Sequence, residues 1–256
     1  MTEFLSGKAA FITGAGSGIG HATALVFAAE GAQVAVVDLS LEAAERTAGE
    51  IRASGGRSIA VAADVSVASQ VASAVQQTVD AFGRLDCAFN NAGIHGSQLG
   101  VAAKPAAEIT SEAFQRMVEV NLKGVWLCMK YQILQMQKQG GGAIVNTGSI
   151  GATVGLRGSS AYCACKHGVL GLTKTAALEF AKQKIRVNSV SPGYTDTPMM
   201  AESMQRKGAQ VLAIVPLHRL AAPRDIGNTV AFLCSDDASY VSGCDYPVDG
   251  GFLGAR

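Results

Sequence analysis

Tyr162 and Lys166 stand four residues apart in the run Tyr162-Cys163-Ala164-Cys165-Lys166, and they follow Ser149 by 13 and 17 residues. On a helix, residues four apart share a face, so a phenol and an ammonium lie side by side. An ammonium close to a phenol favours its ionised form. A free phenol ionises near pH ~10, and service as a general base at neutral pH requires about 4 kcal/mol of preferential stabilisation of the phenolate. A lysine neighbour supplies part of that. Tyr-x-x-x-Lys alone also describes an ordinary pair on an amphipathic helix, so the rest of the chain has to decide between the two.

A second candidate lies near the start. Thr13-Gly14-Ala15-Gly16-Ser17-Gly18-Ile19-Gly20 follows an apolar strand and opens a helix. Glycines let a backbone turn tightly and approach a pyrophosphate, while a helix N-terminus offers unpaired N–H groups and a positive dipole end. The Gly-x-Gly-x-x-Gly dinucleotide fingerprint is not matched, because Ile19 occupies the place of its third glycine. Asp38 ends the second strand, 24 residues after Gly14. An acidic residue there accepts hydrogen bonds from the adenosine ribose hydroxyls and repels a 2′-phosphate. No Arg or Lys lies in the glycine turn, and Leu39-Ser40 are neutral. The reading is NAD rather than NADP. Asp38 could equally cap the helix that starts near Leu41, and the two roles are compatible.

The elements that must position these groups alternate along the chain. Short apolar runs at residues 9–13, 34–38, 58–63, 86–90, 143–147, 185–190 and 245–248 read as strands. Helical spacing fills 18–30, 41–53, 67–82, 111–137, 160–182 and 223–233. This alternation predicts an α/β fold: one Rossmann-like, doubly wound parallel sheet of about seven strands with helices on both faces, in a single domain over residues 1–256. Residues 197–220 break the alternation and carry Met199, Met200, Met204, Val211, Leu212, Ile214 and Val215. They read as a substrate lid with an apolar underside or as an ordinary packed helix.

Composition removes several classes of function. Lys and Arg number 21 against 20 Asp and Glu, a formal charge of +1, with no basic cluster interleaved with aromatics. Nucleic acid is therefore not an expected partner. No apolar run approaches the ~20 residues of a membrane span, and the start, Met1-Thr2-Glu3-Phe4-Leu5-Ser6-Gly7-Lys8, lacks a basic stretch before an apolar one. A cytoplasmic protein without membrane contact is expected. The six cysteines, at 87, 128, 163, 165, 234 and 244, are too sparse for a disulfide framework and lack metal-site spacing, which reads as buried reduced thiols and no metal.

With these pieces together, the chain resembles the short-chain dehydrogenase/reductase family nearly end to end. Thr13, Gly14, Gly18 and Gly20 fit its Thr-Gly-x-x-x-Gly-x-Gly, and Asn90-Asn91-Ala92-Gly93 fits its Asn-Asn-Ala-Gly. Asn121, Ser149, Tyr162 and Lys166 fit its catalytic positions. Pro192-Gly193, with Thr195 and Thr197, matches the nicotinamide turn, and Asp64-Val65 matches the pair flanking adenine. The resemblance implies cofactor contacts from Gly14, Ser17, Gly18, Ile19, Asp38, Leu39, Asp64, Val65, Asn91, Ala92 and Gly93, from Tyr162 and Lys166, and from Pro192, Gly193, Thr195 and Thr197.

The resemblance also implies a mechanism. Tyr162 takes the proton of a secondary alcohol, Ser149 holds its oxygen, Lys166 binds the nicotinamide ribose and stabilises the phenolate, and Asn121 disturbs its helix and holds a water that links Lys166 to solvent. Thr153, Leu156, Tyr194, Met199 and Met200 would line the substrate pocket. His95 could reach the substrate or be incidental. Residues 89–93 and 126–131 look like members that oxidise cyclic alcohols or dihydrodiols. The closing Val248-Asp249-Gly250-Gly251 resembles a turn that builds subunit interfaces, which implies a homo-oligomer, with a tetramer favoured. The leading expectation is an NAD-dependent secondary alcohol dehydrogenase for a small cyclic or apolar substrate. The alternatives are a 3-oxoacyl thioester reductase, which would normally use NADPH, and a non-catalytic nucleotide-sensing protein of the same fold.

Overall fold

The computed structural model describes residues 3–255; Met1, Thr2 and Arg256, the outermost residues of the predicted domain, lie outside them. The strands are β1 Ala9–Thr13, β2 Gln33–Asp38, β3 Ser58–Ala62, β4 Cys87–Asn90, β5 Gly142–Thr147, β6 Ile185–Pro192 and β7 Asp245–Val248. They form one sheet in the order β3-β2-β1-β4-β5-β6-β7, and every pairing is parallel. A parallel sheet has to be covered on both faces, which is why its strands read as continuous apolar runs and not as alternating ones.

The helices are α1 Gly18–Ala29, α2 Leu41–Ala53, α3 Ala68–Phe82, α4 Ser111–Val118, α5 Gly124–Gln139, α6 Ser160–Phe180, α7 Ala201–Ile214 and α8 Pro223–Cys234. Side-chain alternation sorts them into two layers. Ile12, Val34, Val36, Phe89 and Val145 pack with Phe27 of α1, Ile51 of α2 and Ile226 of α8. Their neighbours in sequence, Phe11, Ala35, Val37, Ala88 and Ile144, face the other way onto Val75 of α3, Met129 of α5 and Val169 of α6. Phe11, Phe27 and Phe89 are fully buried, each contributing on the order of 2–3 kcal/mol of transfer free energy.

The sheet order reverses between β1 and β4, which leaves a crevice at the strands' carboxyl ends. Thr13 closes its base. The Thr13 hydroxyl accepts from the backbone N–H groups of Asn91 at 3.0 Å and Ala92 at 3.1 Å, while Asn91 Nδ2 donates to the carbonyls of Thr13 and Gly14.

Three expectations change. The helix predicted over 111–137 is two helices joined by a π-helical segment, Glu119–Lys123, and it runs on to Gln139. Helical periodicity continues through a π turn, so sequence spacing does not reveal the break. Asp38 is not the cap of α2: Ser40 is, accepting from Ala43 N at 3.2 Å. Ser40→Ala should therefore lower stability by about 1 kcal/mol, seen as a fall in Tm of roughly 2–4 °C. Five cysteines are buried as expected, but Cys244 is exposed beside β7.

Candidate active site

The glycine turn is built for close approach. Gly14 has φ +63°, and a β-carbon there would lie 2.9 Å from Ala92 Cα. At Gly20 a β-carbon would strike the Gly14 carbonyl, so the glycine that lets α1 seat against the turn stands at 20 and not at 19. Ser17, the residue before α1, makes no side-chain cap, and the first turn of α1 holds no acidic residue. Its N–H groups are left for an anion. Gly18 lies under Thr197, whose Cγ2 would be 3.4 Å from a β-carbon, so the segment after β6 leans over the turn. Asp38 is pinned in the same place: Oδ2 accepts from Gly16 N at 2.9 Å and Oδ1 from Ser40 N at 3.0 Å.

Further along the edge, Asp64 accepts from the Ser66 N–H and hydroxyl and pairs with Arg116 at 3.4 Å; these contacts outweigh the desolvation that opposes them and hold its carboxyl below the usual range. Leu39 is exposed, whereas the Val65 side chain is buried against Val71, Val120 and Leu127. Val65 therefore has only its backbone to offer a ligand.

Beyond the glycine turn a cavity of about 620 Å³ opens, bounded by Ile19, Asn91 and Gly93 on one side and by Pro192, Gly193, Thr195 and Thr197 on the other. Ser149, Tyr162 and Lys166 line it together. Ser149 sits at the end of β5, its N–H held by Ser191 Oγ at 3.2 Å, and Ser191 in turn donates to the Asp245 carboxylate at 2.9 Å. The Ser149 hydroxyl accepts from Gly151 N at 3.0 Å and faces the Tyr162 phenol, whose ionised form it favours.

A buried amide chain ties these elements together: Asn90 Nδ2 donates to Asn146 Oδ1 at 2.9 Å, and Asn146 Nδ2 to Thr173 Oγ1 on α6 at 2.9 Å. Fully satisfied buried networks of this kind fix register, here that of the strands carrying Ser149 against the helix carrying Tyr162.

Lys166 is buried and donates to the Thr147 carbonyl at 2.7 Å, with its nitrogen 5.5 Å from the Tyr162 ring centre. Burial lowers its pKa to about 8. Burial also raises the Tyr162 phenol, more than the Ser149 hydroxyl lowers it. Where the expectation has Lys166 lowering the phenol, in the protein alone desolvation acts on both charged forms and the phenol is raised.

Asn121 lies in the π segment and is fully buried. Its side chain accepts from Ile94 N and donates to Ile94 O, both at 2.8 Å. Asn121 does mark a disturbed helix, and its amide is committed to the loop after β4.

The other predicted pocket residues divide. His95, Leu156, Tyr194, Met199 and Met200 line the cavity. His95 meets Tyr162 edge-on, ring centres 5.5 Å apart, and burial holds its imidazole below the usual pKa. Thr153 is exposed and does not line the cavity, because the short helical turn Ile150–Ala152 rotates it outward. Phe252 and Arg157 line the cavity and were not anticipated, since nothing in their local sequence marks them. Thr147 lines it too, with a buried hydroxyl that has no hydrogen-bond partner among the described residues. Among the described residues no cluster of His, Cys, Asp and Glu could hold a metal, and no helix is long and apolar enough to cross a membrane.

Comparison with known proteins agrees with this geometry. A family model described as Enoyl-(Acyl carrier protein) reductase matches residues 14–253. Cyclohexanol dehydrogenase of Acinetobacter sp. (strain SE19) is 45% identical, over 98% of this chain and 97% of its own length. Levodione reductase of Leifsonia aquatica is 40% identical, over 98% and 96%. A crystal structure of levodione reductase superposes with a TM-score of 0.93 at 39% identity, covering 98% of this chain and 99% of its own. With the sheet order, the glycine turn and the Ser, Tyr and Lys side chains in one cavity, the chain belongs to the short-chain dehydrogenase/reductase family and is an oxidoreductase acting on CH–OH groups.

Proposed function

We propose that this protein is an NAD-dependent dehydrogenase that interconverts a cyclic or otherwise apolar secondary alcohol and its ketone. The observation that carries the reading is the Tyr162 phenol, which lines one cavity with Ser149 and Lys166, a cavity whose further wall is apolar: Ile94, Leu156, Met199, Met200 and Val211. Such a wall suits a hydrocarbon ring. The similarity to proteins named for cyclohexanol and levodione points the same way.

The cofactor fits what the residues offer. The glycine cradle and the uncapped start of α1 suit a pyrophosphate. The Asp38 carboxylate faces Gly16 and suits ribose hydroxyls over a phosphate, and the orphaned Thr147 hydroxyl awaits a polar partner in the cavity. When bound, NAD supplies the hydride acceptor. The chain does the rest: Ser149 holds the alcohol oxygen, Tyr162 takes its proton, and the Thr147 carbonyl fixes Lys166 beneath the phenol. Asn121 anchors the π segment to Ile94, and the proton leaves through Lys166 along that side. Residues 197–220, with α7 carrying Val211 into the cavity, act as the lid of a one-domain enzyme. Exposed Phe114, Trp126 and Leu134 support a homo-oligomer, for which we favour a tetramer. The buried thiols support a cytoplasmic location.

The test is near-ultraviolet absorbance of reduced nicotinamide with NAD+ and NADP+ in parallel, against cyclic, aliphatic and steroid secondary alcohols. NADH formation with a cyclic alcohol is expected. Turnover confined to 3-oxoacyl thioesters with NADPH would refute the reading.

The pH dependence follows from the raised phenol pKa. At neutral pH the phenol is the resting form, fit to donate in ketone reduction and unfit to accept in oxidation. Below that pKa, each pH unit raises the phenolate fraction about tenfold. Initial rates of oxidation should therefore climb from neutral to alkaline buffer while rates of reduction decline, and profiles flat in both directions would exclude Tyr162 as the proton carrier.

A further inference from the structure

Arg157 stands at the rim of the cavity that holds Tyr162, at the corner of a tight turn in which Ser159 N donates to the Leu156 carbonyl at 3.1 Å. Gly158, next in the turn, has φ +75°, a conformation that favours glycine. Its backbone lies against Ala103, which itself has φ +59°, and a β-carbon on Gly158 would come within 2.5 Å of Ala103 Cα. Two loops thus meet at the rim, and the turn holding Arg157 is fixed by its own hydrogen bond and by the contact with Ala103. Its flanking residues, Leu156 and Ser159, also line the cavity.

Among the described residues no carboxylate compensates the charge there. Arg46, Arg52, Arg84, Arg116 and Arg219 each pair with a carboxylate. Among the described residues Arg157 makes no hydrogen bond or ion pair, and no Asp or Glu among them lines the cavity. The cavity's other cation, Lys166, is turned onto the Thr147 carbonyl. An arginine fork matches a carboxylate with two parallel hydrogen bonds.

We propose that Arg157 is a specificity residue that binds a carboxylate carried by the substrate away from its carbinol. The preferred substrates are then hydroxy- or oxocycloalkane carboxylates, the ring against the apolar wall, the hydroxyl at Ser149 and Tyr162, and the acid at the rim. This rests on the alcohol dehydrogenase reading above and narrows its substrate class.

The test compares three probes with the wild-type enzyme, Arg157→Gln and Arg157→Lys: cyclohexanol, a hydroxycyclohexanecarboxylate with the acid across the ring from the hydroxyl, and the methyl ester of that acid. The wild type should prefer the acid to the ester by roughly tenfold to a hundredfold in kcat/KM, mostly through KM, and added salt should shrink the preference. Arg157→Gln should bring the ratio of acid to ester close to one, and Arg157→Lys should restore part of it. Turnover of cyclohexanol by a wild type that treats acid and ester alike, or a preference that survives in Arg157→Gln, overturns the proposal and leaves the dehydrogenase reading standing. Turnover of none of the three defeats both.

Discussion

Tyr162→Phe is expected to lower kcat for alcohol oxidation by roughly a hundredfold to ten-thousandfold while NADH binds with nearly unchanged affinity. The substitution removes one oxygen from a ring that stays where it is, held edge-on to His95 and packed against the cluster of Met117, Ala161 and Cys165. What disappears is the group to which the proposed reaction gives the proton transfer and which faces Ser149 in the cavity. Fluorescence titration with NADH separates the two effects, because a loss of cofactor affinity would signal damage to the fold. His95 is the rival base, 5.5 Å away and held neutral by burial. His95→Gln should change KM more than kcat. If Tyr162→Phe turned over normally and His95→Gln did not, the imidazole would be the base and the tyrosine a wall.

The second large effect concerns the choice of cofactor. Replacing Asp38 by Asn should raise kcat/KM with NADP+ relative to NAD+ by roughly a hundredfold. On the proposed reading it deletes a charge that would repel a 2′-phosphate, since like charges brought together cost several kcal/mol. Asn is the better variant than Ala because Asp38 also receives the N–H groups of Gly16 and Ser40, and an amide oxygen preserves one of those bonds. Parallel initial rates with the two nucleotides read the ratio directly. An unchanged ratio would move discrimination elsewhere, toward exposed Leu39 or the Ser17 turn.

Most of the sheet was legible because each parallel strand is buried on both faces and leaves a continuous apolar run, as at residues 9–13 and 34–38. The strand order itself rests on pairings between segments far apart in the chain, such as Ala10 with Cys87, and no local pattern encodes them. The glycine turn was legible too, although the reason for its last glycine, the collision with the Gly14 carbonyl, needs the folded turn.

The chemistry of the site was less visible than its residues. Spacing brought Tyr162 and Lys166 to one face of α6, but the balance between attraction and desolvation depends on burial, which a sequence does not state. Thr153 looked like a pocket residue because it follows an element that borders the nicotinamide in relatives, and it is turned outward by a single helical turn. Phe252 reaches the cavity from the far end of the chain because Asp249 folds the last turn, accepting from Gly251 N at 2.9 Å and Leu253 N at 2.8 Å. Arg157 reads from sequence as one more surface arginine; its meaning comes from what does not surround it.

The central claim is that this chain moves a hydride directly from a secondary carbinol to NAD+ while Tyr162 takes the proton. Cyclohexanol carrying deuterium on its carbinol carbon, incubated with NAD+ and the enzyme, tests it by the mass of the reduced nucleotide. The account predicts deuterium on the nicotinamide ring of NADH, slower turnover than with the unlabelled alcohol, and very little labelled NADH from Tyr162→Phe, in proportion to its small residual rate. Deuterium released to water, or no reduction of NAD+ by any cyclic alcohol from an enzyme that binds NADH, would contradict it.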